Sequence, residues 1–188
     1  MEIGVGGGGI SIVFNKFMEE ESINRPFYAI DTLYGFTQED VNFERKERGK
    51  MDRYLGYRSN SKDWYTKTLI AHGIRNARVI QADAKQLDYT QFAPVAFCFL
   101  DIDLYNPIAS VLPRLHDVLA PGGMMRTRST MAPDRPIANF ARREELHRRL
   151  CTTISASSEK ADRDSGATEV PTNAWSPSLV LIQASPAH

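Results

Sequence analysis

Short apolar runs alternate with segments of helical periodicity along the first two thirds of the chain. The longest run, VAFCFL, is apolar at every position, which is typical of a strand buried on both faces of a parallel sheet. Between the runs, apolar residues recur every three or four positions, which is typical of amphipathic helices. The predicted strands are 2–5, 27–30, 77–81 and 95–102, and the predicted helices are 10–18, 61–73 and 107–119. This alternation predicts a doubly wound α/β sheet.

Local signals set the ends of these elements. Asn60 and Ser61 are candidate caps for the second helix. Pro107 is expected to open the third helix and Pro113 to bend it, because proline fits the first turn of a helix but not its interior. Pro121-Gly122-Gly123 predicts a turn after that helix.

The pattern weakens after residue 123. Residues 137–150 keep helical periodicity, whereas 151–177 are rich in serine, threonine and alanine. Such a composition buries little apolar surface and predicts a loop or disorder. The expected single domain of 1–188 therefore comprises a core of 1–123, a divergent or partly disordered 124–177, and a closing strand at 178–183.

Composition narrows the class of protein. The 188 residues contain 23 Lys and Arg against 23 Asp and Glu, so the whole chain lacks the basic excess of a nucleic-acid binder. Seven arginines between 126 and 149 form either a local basic patch or a solvated helix face paired with glutamates. Two cysteines are too few for a disulfide framework, and no apolar run has the roughly 18 residues of a membrane span. Because the start does not resemble a secretory signal, we expect a cytoplasmic protein that binds neither nucleic acid nor membranes.

A glycine-rich corner and two aspartates suggest a nucleoside ligand. Gly4 lies in the first predicted strand and Gly6 to Gly9 follow it, whereas Asp31 ends the second strand and Asp83 follows the third. The carboxyl ends of adjacent parallel strands are where open α/β sheets bind ligands. A carboxylate at the second strand can accept hydrogen bonds from ribose hydroxyls, and the one at the third is placed to reach a purine amine. The glycines alone also fit a flexible turn or the fingerprint of a nicotinamide-dependent dehydrogenase.

Asp101 and Asp103 follow the fourth predicted strand in the sequence LDIDLY. On an extended backbone, residues two apart point to the same side. The repulsion between two such carboxylates is relieved by a cation, a proton or a positively charged ligand. The pair therefore indicates a metal, a general base or the neighbourhood of a sulfonium, or else a hydrated strand end.

Aromatic residues cluster between the second and third predicted strands. Residues 32–60 are rich in charges and aromatics and are expected to form a flap over the site. Tyr54, Tyr57, Trp64 and Tyr65 either shape a ligand pocket or belong to the core.

Five motifs in this order resemble a known family: EIGVGGGGIS, YAIDTLYGFT, RVIQADAKQL, FLDIDLYNP and LAPGG. Over residues 2–123 the chain is similar to the class I S-adenosylmethionine-dependent methyltransferases. Within them it most resembles the macrocin O-methyltransferase-like enzymes that act on macrolide and aminocoumarin sugars. The segments IDTLYGF and LDIDLY carry more of this resemblance than the glycines do.

The resemblance implies a Rossmann-like sheet that binds S-adenosylmethionine, and a small-molecule acceptor. It assigns Glu2, Gly4, Gly6 and Gly8 to the corner at the first strand, Asp31 to the ribose and Asp83 to the adenine. It also implies that Asp101 lies at the cofactor and helps to hold Mg²⁺, and that Asp103 is the general base for the acceptor hydroxyl.

Two departures from the family pattern change the expectation. The chain starts inside the first strand, so we expect a fold truncated at the N-terminus, with apolar surface beside the short strand that a second copy can cover. After LAPGG the family has an apolar strand ending in two aspartates, whereas this chain reads MMRTRSTMAPDRP and is expected to be irregular there. Three functions stay open: an O-methyltransferase for a sugar or other small natural product, an inactive relative that binds cofactor without turnover, and an NAD-dependent oxidoreductase.

Overall fold

A twisted sheet of six strands forms the centre of the molecule. The computed structural model describes residues 1–50, 54–129 and 178–183. The strands are β1 (Glu2–Ile3), β2 (Phe27–Asp31), β3 (Ala77–Gln81), β4 (Val95–Leu100), β5 (Leu119–Ser129) and β6 (Ser178–Gln183). Their order is β3-β2-β1-β4-β5-β6, with the first five parallel and β6 antiparallel to β5. The predicted closing strand is thereby confirmed.

Helices cover both faces of this sheet. They are α1 (Gly9–Glu20), α2 (Gln38–Lys46), α3 (Lys62–Ala71) and α4 (Tyr105–Asp117). Phe27 and Ala29 of β2 face one core with α1 and α3, whereas Ile30 faces a second core with α4. Because side chains alternate along a strand, one apolar strand supplies both cores. The predicted doubly wound α/β fold is confirmed.

The first and fourth strands are shorter than predicted. β1 ends at Ile3 because Gly4 has a φ of +83°, which is outside the extended range. β4 ends at Leu100, so Asp101 and Asp103 lie in the connection to α4. That helix begins at Tyr105, two residues before the predicted Pro107. Ser61 caps α3 as predicted, accepting a hydrogen bond from the Trp64 amide.

The predicted turn at Pro121-Gly122-Gly123 is wrong, because these residues lie inside β5. Val95 pairs with Leu119 but Phe97 pairs with Met124, so extra residues of β5 bulge out between the two pairs. A Cβ atom at Gly123 would lie 2.8 Å from the Val95 carbonyl oxygen. The proline and glycines therefore produce an irregularity within a strand, which is one of their ordinary uses in sheets.

The expectation that 124–129 is irregular is wrong, because these residues belong to β5 and pair with both β4 and β6. The predictions for 130–177, including the helix at 137–150 and the loop at 151–177, lie outside the described residues. In the part of the chain that is described, none of the helices has both the length and the apolar character that crossing a bilayer requires.

Candidate functional site

A cavity of about 390 Å³ opens at the carboxyl ends of the parallel strands. Its volume is within the range of about 300–1,000 Å³ found for small-molecule sites. Seven of the eight predicted site residues line it: Glu2, Gly4, Gly6, Asp31, Asp83, Asp101 and Asp103. Gly8 is not among the lining residues. The sheet thus brings together side chains that are as much as 100 positions apart in the sequence.

The glycine corner has a backbone that side chains would obstruct. A Cβ atom at Gly4 would lie 2.1 Å from the Asp101 carbonyl oxygen, so the corner packs directly on the LDIDLY segment. Gly8 has a φ of +86° and is the N-cap of α1, where a Cβ atom would lie 3.1 Å from the ring of Tyr65. Gly8 therefore begins the helix that borders the cavity, while its own atoms lie outside the lining.

Asp31 fastens the end of β2 to this corner. Its Oδ2 atom accepts hydrogen bonds from the amides of Val5, at 2.8 Å, and Gly6, at 3.4 Å. Its Oδ1 atom accepts from the amide of Leu33, at 2.7 Å, and from the hydroxyl of Thr32, at 3.2 Å. Four donors hold the carboxylate in one orientation in the cavity wall. Its contact with a ribose stays a prediction.

Asp83 lies beside an ion-pair network that the sequence analysis did not find. Its Oδ1 atom accepts from the Lys85 amide at 2.9 Å, and its Oδ2 atom is 3.8 Å from the Lys85 Nζ atom. The Lys85 side chain is 8% exposed and donates to Asp40 at 2.7 Å and to Glu39 at 3.1 Å. Asp40 lines the cavity and belongs to α2.

Helix α2 occupies the segment expected to form a flap, and buried polar contacts hold it against α4. The Asp40 Oδ1 atom also accepts from the side-chain Nδ2 atom of Asn106 at 2.8 Å. Glu44 is fully buried, pairs with Arg48 at 3.0 Å and accepts from the Tyr105 amide at 2.7 Å. One sequence signal could have revealed the helix: Thr37 and Asp40 have the spacing of a capping box, and the Thr37 hydroxyl accepts from the Asp40 amide.

Asp101 and Asp103 share the cavity wall for a reason other than the predicted one. Asp103 has a φ of +58°, so the backbone there is not extended and the two-residue alternation does not apply. The side chains meet at the cavity because the chain turns sharply between β4 and α4. A buried non-glycine residue at positive φ is uncommon and tends to occur at functional sites.

The described residues do not support the predicted Mg²⁺ site. No group of three His, Cys, Asp or Glu side chains in 1–50, 54–129 and 178–183 is arranged to hold a metal ion. Asp101 is therefore a carboxylate of the cavity wall in this part of the chain.

Glu2 is buried in the wall of the cavity, at one end of a hydrogen-bonded chain that continues through two hydroxyl groups. Its carboxylate accepts a hydrogen bond from the Ser11 hydroxyl, which lies 2.6 Å from the hydroxyl of Tyr65. Burial raises the pKa of Glu2 to about 7, since water no longer stabilises the charged form. The same burial raises the pKa of Tyr65 well above its ordinary value.

The aromatic residues divide between core and site. Tyr54 and Tyr65 are buried, whereas Trp64 is exposed. Tyr57 lines the cavity and lies over the glycine corner, where a Cβ atom at Gly6 would be 3.2 Å from its ring. The Asn60 side chain, which does not cap α3, donates to the Gly6 carbonyl at 2.9 Å.

The cavity lining is acidic. Among the described residues it contains no lysine, arginine or histidine. It contains six acidic residues: Glu2, Asp31, Asp40, Asp83, Asp101 and Asp103. Lys85 pairs with Asp40 from behind the wall, and burial favours the neutral form of Glu2. The lining also contains Asp31, Asp83, Asp101 and Asp103. Such a cavity favours a ligand that carries positive charge.

Comparisons with known proteins address the fold. No protein-family model matches the sequence, and no curated protein matches it either. Among solved structures, the O-methyltransferase NovP matches with a TM-score of 0.59 at 16% identity, over 98% of this chain and 70% of NovP. The calicheamicin methyltransferase CalS11 matches with a TM-score of 0.58 at 23% identity, over 78% of this chain and 63% of CalS11. The chain has the fold of these methyltransferases. At such identities the likeness concerns the fold, and this chain spans less than two thirds of the length of CalS11.

Proposed function

We propose that this protein is an S-adenosylmethionine-dependent O-methyltransferase that acts on a hydroxyl group of a sugar or another small natural product. The observation that carries the proposal is the cavity itself. It joins a glycine corner to carboxylates at four neighbouring strand ends, on a fold shared with NovP and CalS11.

The residues present fit S-adenosylmethionine. The glycine corner leaves room for a ligand against the main chain, Asp31 is placed for the ribose and Asp83 for the adenine. The acidic lining of the cavity attracts the positive charge of a sulfonium. An NAD molecule carries a pyrophosphate, which these carboxylates repel, so the cavity favours the methyl donor over the dinucleotide.

The acceptor is proposed from the resemblance and from the neighbours. CalS11 is described as a TDP-rhamnose 3'-O-methyltransferase, and NovP as an O-methyltransferase. A hydroxyl group is a weak nucleophile at neutral pH and needs a base close to it. Asp103 lines the same cavity and is 8% exposed, which suits that role.

Bound S-adenosylmethionine supplies a methyl group on a positively charged sulfur. Asp103 would accept the proton of the acceptor hydroxyl while its oxygen takes the methyl group and the carbon–sulfur bond breaks. Holding the acceptor in line with that bond would account for much of the catalysis, as in other displacements of this kind. No step of this proposal uses a metal ion.

Titration calorimetry with S-adenosylmethionine tests the proposal. We expect micromolar binding to the wild type, no binding to Asp31→Ala, and no competition from NAD. Asp103→Asn is expected to keep the binding, because asparagine tolerates positive φ, and to lose methyl transfer to a panel of hydroxylated acceptors that includes nucleotide sugars. The absence of binding to the wild type would overturn the proposal. Binding without turnover on any acceptor would favour the inactive relative.

Location and assembly stay predictions from the sequence. The expectation of open apolar surface beside β1 is wrong, because β1 lies buried between β2 and β4. We propose a cytoplasmic protein that self-associates over another surface. Sedimentation velocity of the purified chain checks the second part, with a monomer at all concentrations contradicting it.

A further inference from the structure

Glu2 is a buried ionisable group that the proposed methyl transfer does not use. It is 1% exposed and forms part of the cavity wall. A carboxylate in such a place costs free energy unless a positive charge or sufficient hydrogen bonds compensate it. Ser11 donates one hydrogen bond to the ionised Glu2 and, having given its only proton, accepts one from the hydroxyl of Tyr65.

Two neighbouring carboxylates further disfavour the ionised form of Glu2 relative to the neutral form. Asp31 at the end of β2 and Asp101 after β4 both act against its ionisation, and the thiol of Cys98 on β4 and the phenol of Tyr65 on α3 also face it. The amino group of Met1 and the hydroxyl of Ser11 act in the opposite direction. Burial outweighs both, so the pKa of Glu2 rises to about 7.

A positively charged ligand in the cavity changes this balance. It adds the compensating charge that the described lining lacks, because that lining contains no lysine, arginine or histidine. The ionised form of Glu2 is then favoured, and its proton leaves. Resting on the proposed function, we infer that binding of the cationic methyl donor expels a proton from Glu2 to solvent, so that pH controls the preference for donor over product.

This coupling treats donor and product differently. The donor carries one more positive charge than the thioether product that is left after methyl transfer. Linkage requires that a ligand which releases a proton binds more tightly as the pH rises. The affinity for the donor is therefore expected to increase with pH up to about pH 7–8, whereas the affinity for the product changes less.

Calorimetry of the full chain in buffers of different ionisation enthalpy measures the protons released. At pH 7 we expect about half a proton per donor molecule bound, because Glu2 is then about half protonated. Below pH 7 the Kd is expected to fall by up to about tenfold per pH unit as the pH rises. S-adenosylhomocysteine, the product, is expected to release a smaller fraction.

Glu2→Gln isolates the effect, since the amino group of the ligand titrates in the same way with both proteins. The variant is expected to bind the donor with a Kd that loses this pH dependence and with the proton release reduced by about half a proton at pH 7. Glu19→Gln, on the exposed face of α1, removes the same charge away from the cavity and is expected to behave as the wild type.

A third variant covers the case in which Glu2→Gln does not fold. Ser11→Ala removes the hydrogen bond that favours ionised Glu2, so the pH dependence of binding is expected to shift to higher pH. Donor binding by the wild type without proton release, or equal release for donor and product, would overturn the inference and leave the proposed function intact. The absence of any donor binding would overturn both.

Discussion

The glycine corner of residues 4–9 and helix α2 border the same cavity but are held in place by different forces. The corner depends on backbone shape: Gly4 sits against the Asp101 carbonyl, where only a hydrogen atom fits. Helix α2 depends on buried charges, with Asp40 paired to Lys85 and Glu44 paired to Arg48. The first region is therefore sensitive to added atoms, and the second to lost partners.

The two regions also differ in how well they can be recognised from the sequence. The corner is encoded by closely spaced glycines at positions 4 and 6–9, which can be recognised from the sequence alone. The buried face of α2 carries Asp40, Val41 and Glu44, so two of its three buried residues are charged and the hydrophobic pattern hides the helix. Residues distant in the sequence, such as Lys85 and Tyr105, provide the contacts that cover this face.

The largest expected effect comes from Gly4→Ala. The new methyl group would overlap the Asp101 carbonyl, and alanine would have to adopt a φ of +83°. We expect a loss of about 3–5 kcal/mol in the free energy of unfolding, measured by urea denaturation. Gly9→Ala is the matched control, because nothing lies within 4 Å of its Cβ position and it is in α1. A loss of stability in the control equal to that of Gly4→Ala would contradict the steric explanation.

The next effect tests helix α2. Glu44→Ala removes the partner of Arg48 and the acceptor for the Tyr105 amide, so we expect a loss of about 3 kcal/mol, because breaking a buried pair leaves a charge uncompensated. Lys67→Ala breaks the exposed pair with Asp63 and is expected to cost about 0.5 kcal/mol or less. Equal losses from the two substitutions, measured by urea denaturation, would show that α2 is not held by its buried charges.

The stability of the protein is also expected to depend on pH, because the buried Glu2 lies beside the glycine corner. Unfolded Glu2 ionises near its ordinary pKa of 4.5, whereas in the folded protein the pKa is about 7, so between these values the folded state binds more protons. The free energy of unfolding is therefore expected to fall by about 3 kcal/mol as the pH rises from about 4.5 to 7, and to level off above pH 7. Glu2→Gln is expected to lack this decrease and to exceed the wild type in stability at pH 8. Parallel pH curves for both proteins in urea denaturation would count against the raised pKa.

The smallest effect concerns Asn60, which lies between α2 and α3 and contacts the glycine corner. Asn60→Ala removes the hydrogen bond to the Gly6 carbonyl, and we expect a loss of about 1 kcal/mol in the free energy of unfolding. Asn24→Ala is the control, since Asn24 is exposed and lies away from the corner. Thermal denaturation of both variants checks the difference, and an unchanged Asn60→Ala midpoint would show that the bond adds nothing to stability.

The sequence determined the parts of this protein that local chemistry encodes. Apolar runs predicted four strands of the core and the closing strand 178–183, and helical periodicity predicted α1, α3 and α4. The order of these elements was sufficient to predict that Asp31, Asp83, Asp101 and Asp103 meet at one edge of the sheet. Parallel strands make that meeting unavoidable, because all their carboxyl ends lie on the same side.

The tertiary structure alone decided the features that depend on a distant partner. Pro121-Gly122-Gly123 became a bulge within β5 because β4 runs beside it, and Asp103 reaches the cavity through a positive φ that no alternation rule describes. The burial that raises the pKa of Glu2 exists only when α1, α3 and the sheet enclose it. Local sequence fixes which conformations a segment favours, whereas desolvation and ion pairing depend on which segments surround it.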